Sequence, residues 1–162
     1  MNLLRVTMAA ALLLSGCATI DPLAAQVEAL ARRLGPSGVA ITRVGDEISM
    51  QLPDITFDTG RASLKAEYRS MLEDMALILS EYPDTTITIT GHTDATGSPQ
   101  VNQRLSESRA RSVAEFLQRQ AISQERFVSV GGVGETQPVS SNETPQGRQQ
   151  NRRVDVRFRQ RG

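Results

Sequence analysis

Cysteine and histidine occur once each in the 162 residues, and tryptophan is absent. One cysteine cannot form an intramolecular disulfide or a cysteine-rich zinc site. The single histidine, His92, has no histidine or cysteine close to it in sequence, so it makes a poor metal ligand and a poor member of a catalytic triad. A place in a turn accounts for it better. Net charge is also lacking: eighteen Lys and Arg balance eighteen Asp and Glu, and no global field draws the chain to nucleic acid. The one pronounced apolar run, Val6 to Leu14, is too short to span a bilayer as a stable helix. Gly131-Gly132-Val133-Gly134 lacks the Lys-Ser/Thr of a phosphate-binding loop and the helical context of a dinucleotide site, and reads as a tight bend after a strand. What is present, 39% hydrophobic and 22% charged residues, suits one domain with a modest core.

The first sixteen residues carry one charge, Arg5, ahead of the apolar run, and read as a signal peptide over 1–16. The run ends in Leu14-Ser15-Gly16-Cys17, which resembles the lipobox at which bacteria acylate a cysteine and cleave before it. That resemblance implies a mature chain beginning at a lipidated Cys17. Several acyl chains on one residue anchor stably where one binds marginally, since each buried methylene contributes about 0.8 kcal/mol. Ala18, in a position where an aspartate would redirect sorting, resembles an outer-membrane address, with the remainder of the chain in the periplasm.

Leu23, Val27, Leu30 and Leu34 recur at helical spacing before Gly35-Pro36-Ser37-Gly38, compatible with a short amphipathic helix. Four apolar positions are too few for a coiled coil, and residues 17–38 are read as the lipidated cysteine and its tether. Fully extended, 18–38 would reach roughly 70 Å. The domain is placed at 39–162. Val39–Val44 and Glu47–Leu52 flank Gly45-Asp46 as a hairpin. Leu64, Tyr68, Met71, Leu72, Met75, Ala76 and Leu79 mark one face of a helix from Ala62 to Tyr82. Thr85–Thr90 alternates as a strand, Ser98-Pro99 opens a second long helix running to about Gln120, and Arg126–Val133 is a further strand. Gly134–Asn151 reads as a polar loop, and Arg153–Arg159 as a closing strand with Val154, Val156 and Phe158 on one face. The pattern predicts an α/β (α+β) two-layer sandwich, a mixed sheet of four to five strands with two main helices on one face and the other face wet.

Arg109 breaks the apolar pattern of the second helix. It lies four residues after Leu105 and four before Val113, on the face that should be apolar. A guanidinium removed from water needs a carboxylate, because arginine cannot shed its proton. Asp94, in the GHTDATG loop leading into the same helix, is the nearest candidate in sequence. Periodicity alone leaves a structural ion pair and a ligand site equally open.

Thr90-Gly91-His92-Thr93-Asp94, Gly97, Asn102, Leu105-Ser106, Arg109-Ala110 and Val113, followed by Gly132, Gly134, Pro138 and Gly147 to Val154, resemble the signature of the OmpA-like peptidoglycan-binding domain over about residues 48–158. The resemblance implies a non-catalytic wall anchor that needs no cofactor. Asp94 would accept from the ammonium, and Arg109 would hold the carboxylate, of the free end of diaminopimelate in the peptidoglycan stem. Asn102, two helical turns before Arg109, would join them, with a local cap or turn bond as its alternative. Asp58 and Thr59 resemble positions lining the same pocket, although capping the first long helix explains them as well. Arg148, Asn151, Arg152 and Arg153 could touch wall carboxylates, and Arg153 is carried as a site residue. Asp54 and Asp58 could be paired as the carboxylates of a wall hydrolase, but strand-end and cap roles explain them more simply. Lipobox and domain together also resemble the peptidoglycan-associated lipoproteins of Tol-type systems, so an adaptor recruited to a trans-envelope complex is the alternative.

Overall fold

A computed structural model describes residues 21–58 and 60–161. The expected signal peptide, Cys17 and Thr59 lie outside the described residues. Five strands, β1 (Ala40–Val44), β2 (Glu47–Pro53), β3 (Thr85–Gly91), β4 (Phe127–Gly132) and β5 (Arg153–Gln160), form one sheet in the order β1-β2-β5-β3-β4. Only β3 and β4 pair in parallel. Among the described residues the α-helices are α1 (Pro22–Leu34), α2 (Arg69–Glu81), α3 (Pro99–Arg119) and α4 (Pro145–Asn151).

Alternation sorts the two sheet faces. Ile48, Met50 and Leu52 of β2, Ile87 and Ile89 of β3, and Val154, Val156 and Phe158 of β5 are buried together beneath the helices. From α2 come Met71, Leu72, Met75 and Leu79, and from α3 Ala110, Val113, Phe116 and Leu117. The hairpin turns through Gly45 at φ +62°, a conformation that glycine adopts without a Cβ penalty. Ser98 caps α3 by accepting from the Val101 amide at 3.3 Å, with Pro99 in the first turn.

Two glycines set the height of α3 over the sheet. A Cβ on Gly91 would stand 2.0 Å from the Ser106 carbonyl oxygen, and one on Gly132 would stand 2.2 Å from Ser106 Oγ and 2.3 Å from the Glu107 nitrogen. Strand and helix backbones therefore meet directly, and Arg109, one turn beyond Ser106, is carried to the end of β3.

Three expectations change. Residues 22–34 are not a loose tether: α1 packs Leu23, Leu30 and Leu34 into the same core, and Arg33 pairs with Asp74 of α2 at 3.0 Å. The side chain of Asp21 caps it, accepting from the Leu23 amide at 3.0 Å. The helix expected from Ala62 starts later. Residues 62–65 form a loop in which Leu64 bridges Phe57, a 3-10 turn covers Ala66–Tyr68, and α2 begins at Arg69. The expected loop 134–151 contains α4, capped by Thr144 Oγ1 accepting from the Gly147 amide at 3.0 Å, with Pro145 in the first turn.

Candidate functional site

The antiparallel register of β2 and β5 ends at Pro53 opposite Arg153, so Asp54 and Arg152 sit side by side just beyond the last pair. The Asp54 amide donates to the Arg152 carbonyl at 2.9 Å, and Arg152 Nε returns a bond to Asp54 Oδ2 at 2.9 Å. Arg152 Nη1 also reaches Asp94 Oδ2 at 2.7 Å. On the other side, Arg109 Nη2 lies 2.5 Å from Asp54 Oδ1. Asp94, Arg152, Asp54 and Arg109 thus form an unbroken line of alternating charge.

Each end of the line is held by its own surroundings. His92 and Thr93 fix the loop after β3 by donating from their amides to the Arg153 and Gly134 carbonyls, both at 2.9 Å. Asp94 Oδ1 accepts from the Thr96 amide at 2.8 Å. Arg109 Nε donates to the Arg61 carbonyl at 3.0 Å, and its guanidinium lies over the Phe57 ring, 5.2 Å from the centroid. The two ends of the line are the more buried: the side chain of Arg109 is 2% exposed and Asp94 10%, against 22% for Asp54 and 32% for Arg152 in the middle. A solute approaching the cluster meets Arg152 first.

The electrostatics act on Asp94 and on both arginines. Burial pushes the Asp94 carboxyl upward, but the Arg152 guanidinium and the Thr96 amide outweigh it and hold it below the ordinary carboxylate value. Burial lowers Arg109 from its ordinary value, with Asp54 opposing the shift, whereas at Arg152 the two aspartates overcome burial and raise it. A neutral array of two carboxylates and two guanidiniums can receive a zwitterion by exchanging one internal ion pair for two external ones.

The partner expected for Arg109 is therefore corrected. Asp94 and Arg109 belong to one cluster, but Arg109 binds Asp54, and Asp94 binds Arg152. Asn102 is buried beside the cluster, and its Nδ2 donates to the main-chain carbonyl of Asp94 at 3.2 Å and to the Glu135 carboxylate. Asp58 caps no helix. Its carboxylate accepts from Ser63 Oγ at 2.5 Å, and its amide donates to the Ser63 carbonyl at 2.9 Å, closing the loop that presents the Arg61 carbonyl. Arg153 turns away into an internal pair, Nε to Asp155 Oδ1 at 3.0 Å, where Asp155 Oδ2 also lies 3.3 Å from His92 Nε2. Burial tends to raise the Asp155 carboxyl, but His92 and Arg153 together hold it below its usual value.

Asp54, read from the sequence as a strand-end aspartate, and Arg152, named there among four residues that could touch wall carboxylates, are the members not carried as site residues. Strand parity carried a signal for the second. Residues 153, 155 and 157 alternate with the buried valines and phenylalanine, which commits Arg153 to the Asp155 side of β5, whereas Arg152 precedes the strand and escapes that alternation.

A model of the OmpA family matches residues 56–152. The chain is 41% identical over 121 residues to probable lipoprotein YiaD of Escherichia coli K12, covering 74% of this chain and 55% of that one. It is 39% identical over 102 residues to peptidoglycan-binding protein ArfA of Mycobacterium tuberculosis, covering 63% of this chain and 31% of that one. Among solved structures, the cell wall anchor of the T6SS from Pseudomonas aeruginosa superposes with a TM-score of 0.73 at 28% identity, covering 81% of this chain and 96% of that one. The chain spans little more than half of the first relative and about a third of the second. With its mixed five-stranded sheet and a family match across both the loop of Asp94 and the helix of Arg109, the chain belongs to the OmpA family.

Proposed function

We propose that this chain is a non-catalytic anchor of the bacterial envelope. Its charged cluster binds the free diaminopimelate end of peptidoglycan stem peptides, and a lipid on Cys17 fastens it to the outer membrane. The observation that carries the reading is the Asp94–Arg152–Asp54–Arg109 line, which offers an acceptor for an ammonium beside donors for a carboxylate. In binding, the ligand ammonium takes the place of Arg152 on Asp94, and the ligand carboxylate is held between Arg109 and the released Arg152. Each charge-assisted bond contributes about 1.5 to 3 kcal/mol net, so the affinity for one stem is modest. A polymer of identical stems near a tethered domain supplies rapid rebinding and makes the linkage durable.

The names borne by relatives, a lipoprotein, a peptidoglycan-binding protein and a cell wall anchor, agree with this reading. The cluster suits binding better than turnover. Its Asp94 carboxyl is depressed and its arginines stay protonated, so none of the three exchanges a proton near neutral pH. No observation on the described residues favours recruitment to a Tol-type complex over wall binding.

The test is co-sedimentation of residues 21–162, which include every described element, with purified diaminopimelate-type sacculi. The unaltered chain should pellet with the wall, and folded Asp94→Ala and Arg109→Ala variants should remain in the supernatant. Equal sedimentation of all three would assign the cluster to structure alone.

A further inference from the structure

The sheet has two ends of opposite character. The charged cluster lies beyond the Pro53–Arg153 pair, whereas the β1–β2 hairpin turns at the other end, where Glu47 pairs with Arg159. Helix α1 runs from the hairpin end towards the cluster end, because its last residue leads through Gly38 into β1 at Ala40, opposite Gln51. The start of α1 is pinned at the hairpin: Asp21 Oδ2 lies 2.6 Å from Arg43 Nη2, next to the turn. At the same end, Gln26 Oε1 accepts from Thr85 Oγ1 at 3.4 Å, and Thr85 pairs with Gln160. Chain entry and the proposed wall site are therefore at opposite poles, separated by about 23 Å of strand.

Only residues 18–20 separate Cys17 from Asp21. Even fully extended, the path from Cys17 to Asp21 spans about 14 Å. A lipid on Cys17 thus holds the hairpin close to the bilayer, in place of the long reach that an unpacked segment would allow. The hairpin also has the surface for that position. Val44, at 77% exposed, is the most exposed large apolar side chain among the described residues. Around it the charges pair with one another, Asp21 with Arg43, and Asp46 and Glu47 with Arg159 at 3.7 and 3.3 Å, leaving little net field against a lipid headgroup layer.

We propose that the tip of the β1–β2 hairpin, led by Val44, is a membrane-contact surface, and that this contact with the short leash sets the charged cluster facing away from the bilayer. The inference rests on the lipidation of Cys17. Its occupant is a lipid surface; capture of a second protein by the tip is an alternative outcome of the test.

The absence of tryptophan makes the test direct. Full-length Val44→Trp and Val139→Trp chains would each be purified from bacterial envelopes and incorporated into phosphatidylethanolamine–phosphatidylglycerol vesicles with brominated acyl chains. Val139 is also exposed, at 54%, but lies at the cluster pole beside Pro53 and Arg152. Mass spectrometry of the mature N-terminal peptide reads the anchor independently. The expected result is an acylated Cys17 with emission from Val44→Trp quenched several-fold more than that from Val139→Trp. An acylated cysteine with equal quenching at both positions, or with the Val44→Trp emission shielded only in the presence of another envelope protein, overturns the orientation while the anchor stands. An unmodified cysteine removes the anchor and the proposal together.

Discussion

Arg109 and Asp54 hold each other at 2.5 Å beneath the loop of Arg61, with Phe57 against the guanidinium face. Neither residue satisfies the other by charge alone: Arg109 needs the Arg61 carbonyl, and Asp54 needs Arg152 on its second oxygen. Losing one partner strands a charge that burial has already separated from water.

Asp54→Asn should therefore lower stability by about 3 kcal/mol, while joint replacement of Asp54 and Arg109 by leucine should recover much of the loss, since no isolated charge remains. Urea denaturation of the three chains measures both changes. An Asp54→Asn protein as stable as the parent would mean that the Arg61 carbonyl and the Phe57 ring suffice for the guanidinium.

The glycines under α3 give an internally controlled comparison. Gly132→Ala places a methyl group against the Ser106 and Glu107 backbone and should cost about 3 kcal/mol, whereas Gly131→Ala meets nothing within 4 Å and should fall within about 1 kcal/mol of the parent. Similar melting temperatures for the two variants would contradict the direct backbone contact.

Arg126 ties helix to sheet through main-chain carbonyls alone, donating to Leu79 at 2.7 Å, Thr85 at 2.8 Å and Tyr82 at 2.9 Å. Its removal leaves the C-terminal end of α2 and the start of β3 short of donors. Arg126→Ala should cost about 3 kcal/mol, and Arg126→Lys should restore only part of it, since an ammonium cannot match the three directions of the guanidinium. Thermal melts that rank lysine equal to arginine would refute this assignment.

Asp94 and Asp155 both titrate below the ordinary value of 3.8 in the folded chain. Between the folded and unfolded values the unfolded chain binds more protons, so stability rises with pH through that window. The contribution is complete above the unfolded value and is lost as pH falls through the folded ones. Urea midpoints should hold steady down to about pH 5 and then fall, with a shallower fall in Asp155→Asn. A flat acid limb in the parent would show that neither carboxyl is linked to folding.

How much of this could be read in advance depended on whether a residue's role is local. The hairpin, β3, α3 and β5 follow from alternation, caps and helical spacing, and the positions of Ser98, Pro99 and Gly45 agree with them. The anomaly of Arg109 was equally legible, since one charge on an apolar helical face requires compensation. Its partner was not. Asp54 reaches it only because the β2–β5 register places the end of one strand beside the start of another, and a pairing of that range leaves no periodic trace. Helix α1 posed a different difficulty: four apolar residues at helical spacing describe a tether and a packed helix equally well until Leu23, Leu30 and Leu34 find the core. Helix α4 was masked by its polar composition, although Thr144-Pro145 supplies both a cap and a helix-starting proline.

Packing of α1 has its own measurable weight. Leu30 is fully buried, and Leu30→Ala should cost about 2 to 5 kcal/mol, as for other core leucines. A change below about 1 kcal/mol in urea unfolding would return α1 to the status of an appendage.

The placement of Asp21 at one pole and Asp94 at the other also defines a direction for mechanical load. A pull between those points runs along the strands, so the β2–β5 ladder is loaded in shear and its hydrogen bonds share the force. Helix α1 joins the sheet by side-chain packing and a few polar contacts, without a backbone ladder. In a chain anchored as proposed, it would peel first under tension, lengthening the link by paying out chain while the sheet and its charged cluster stay intact. On that reading the packed helix is a reserve of slack in series with the grip.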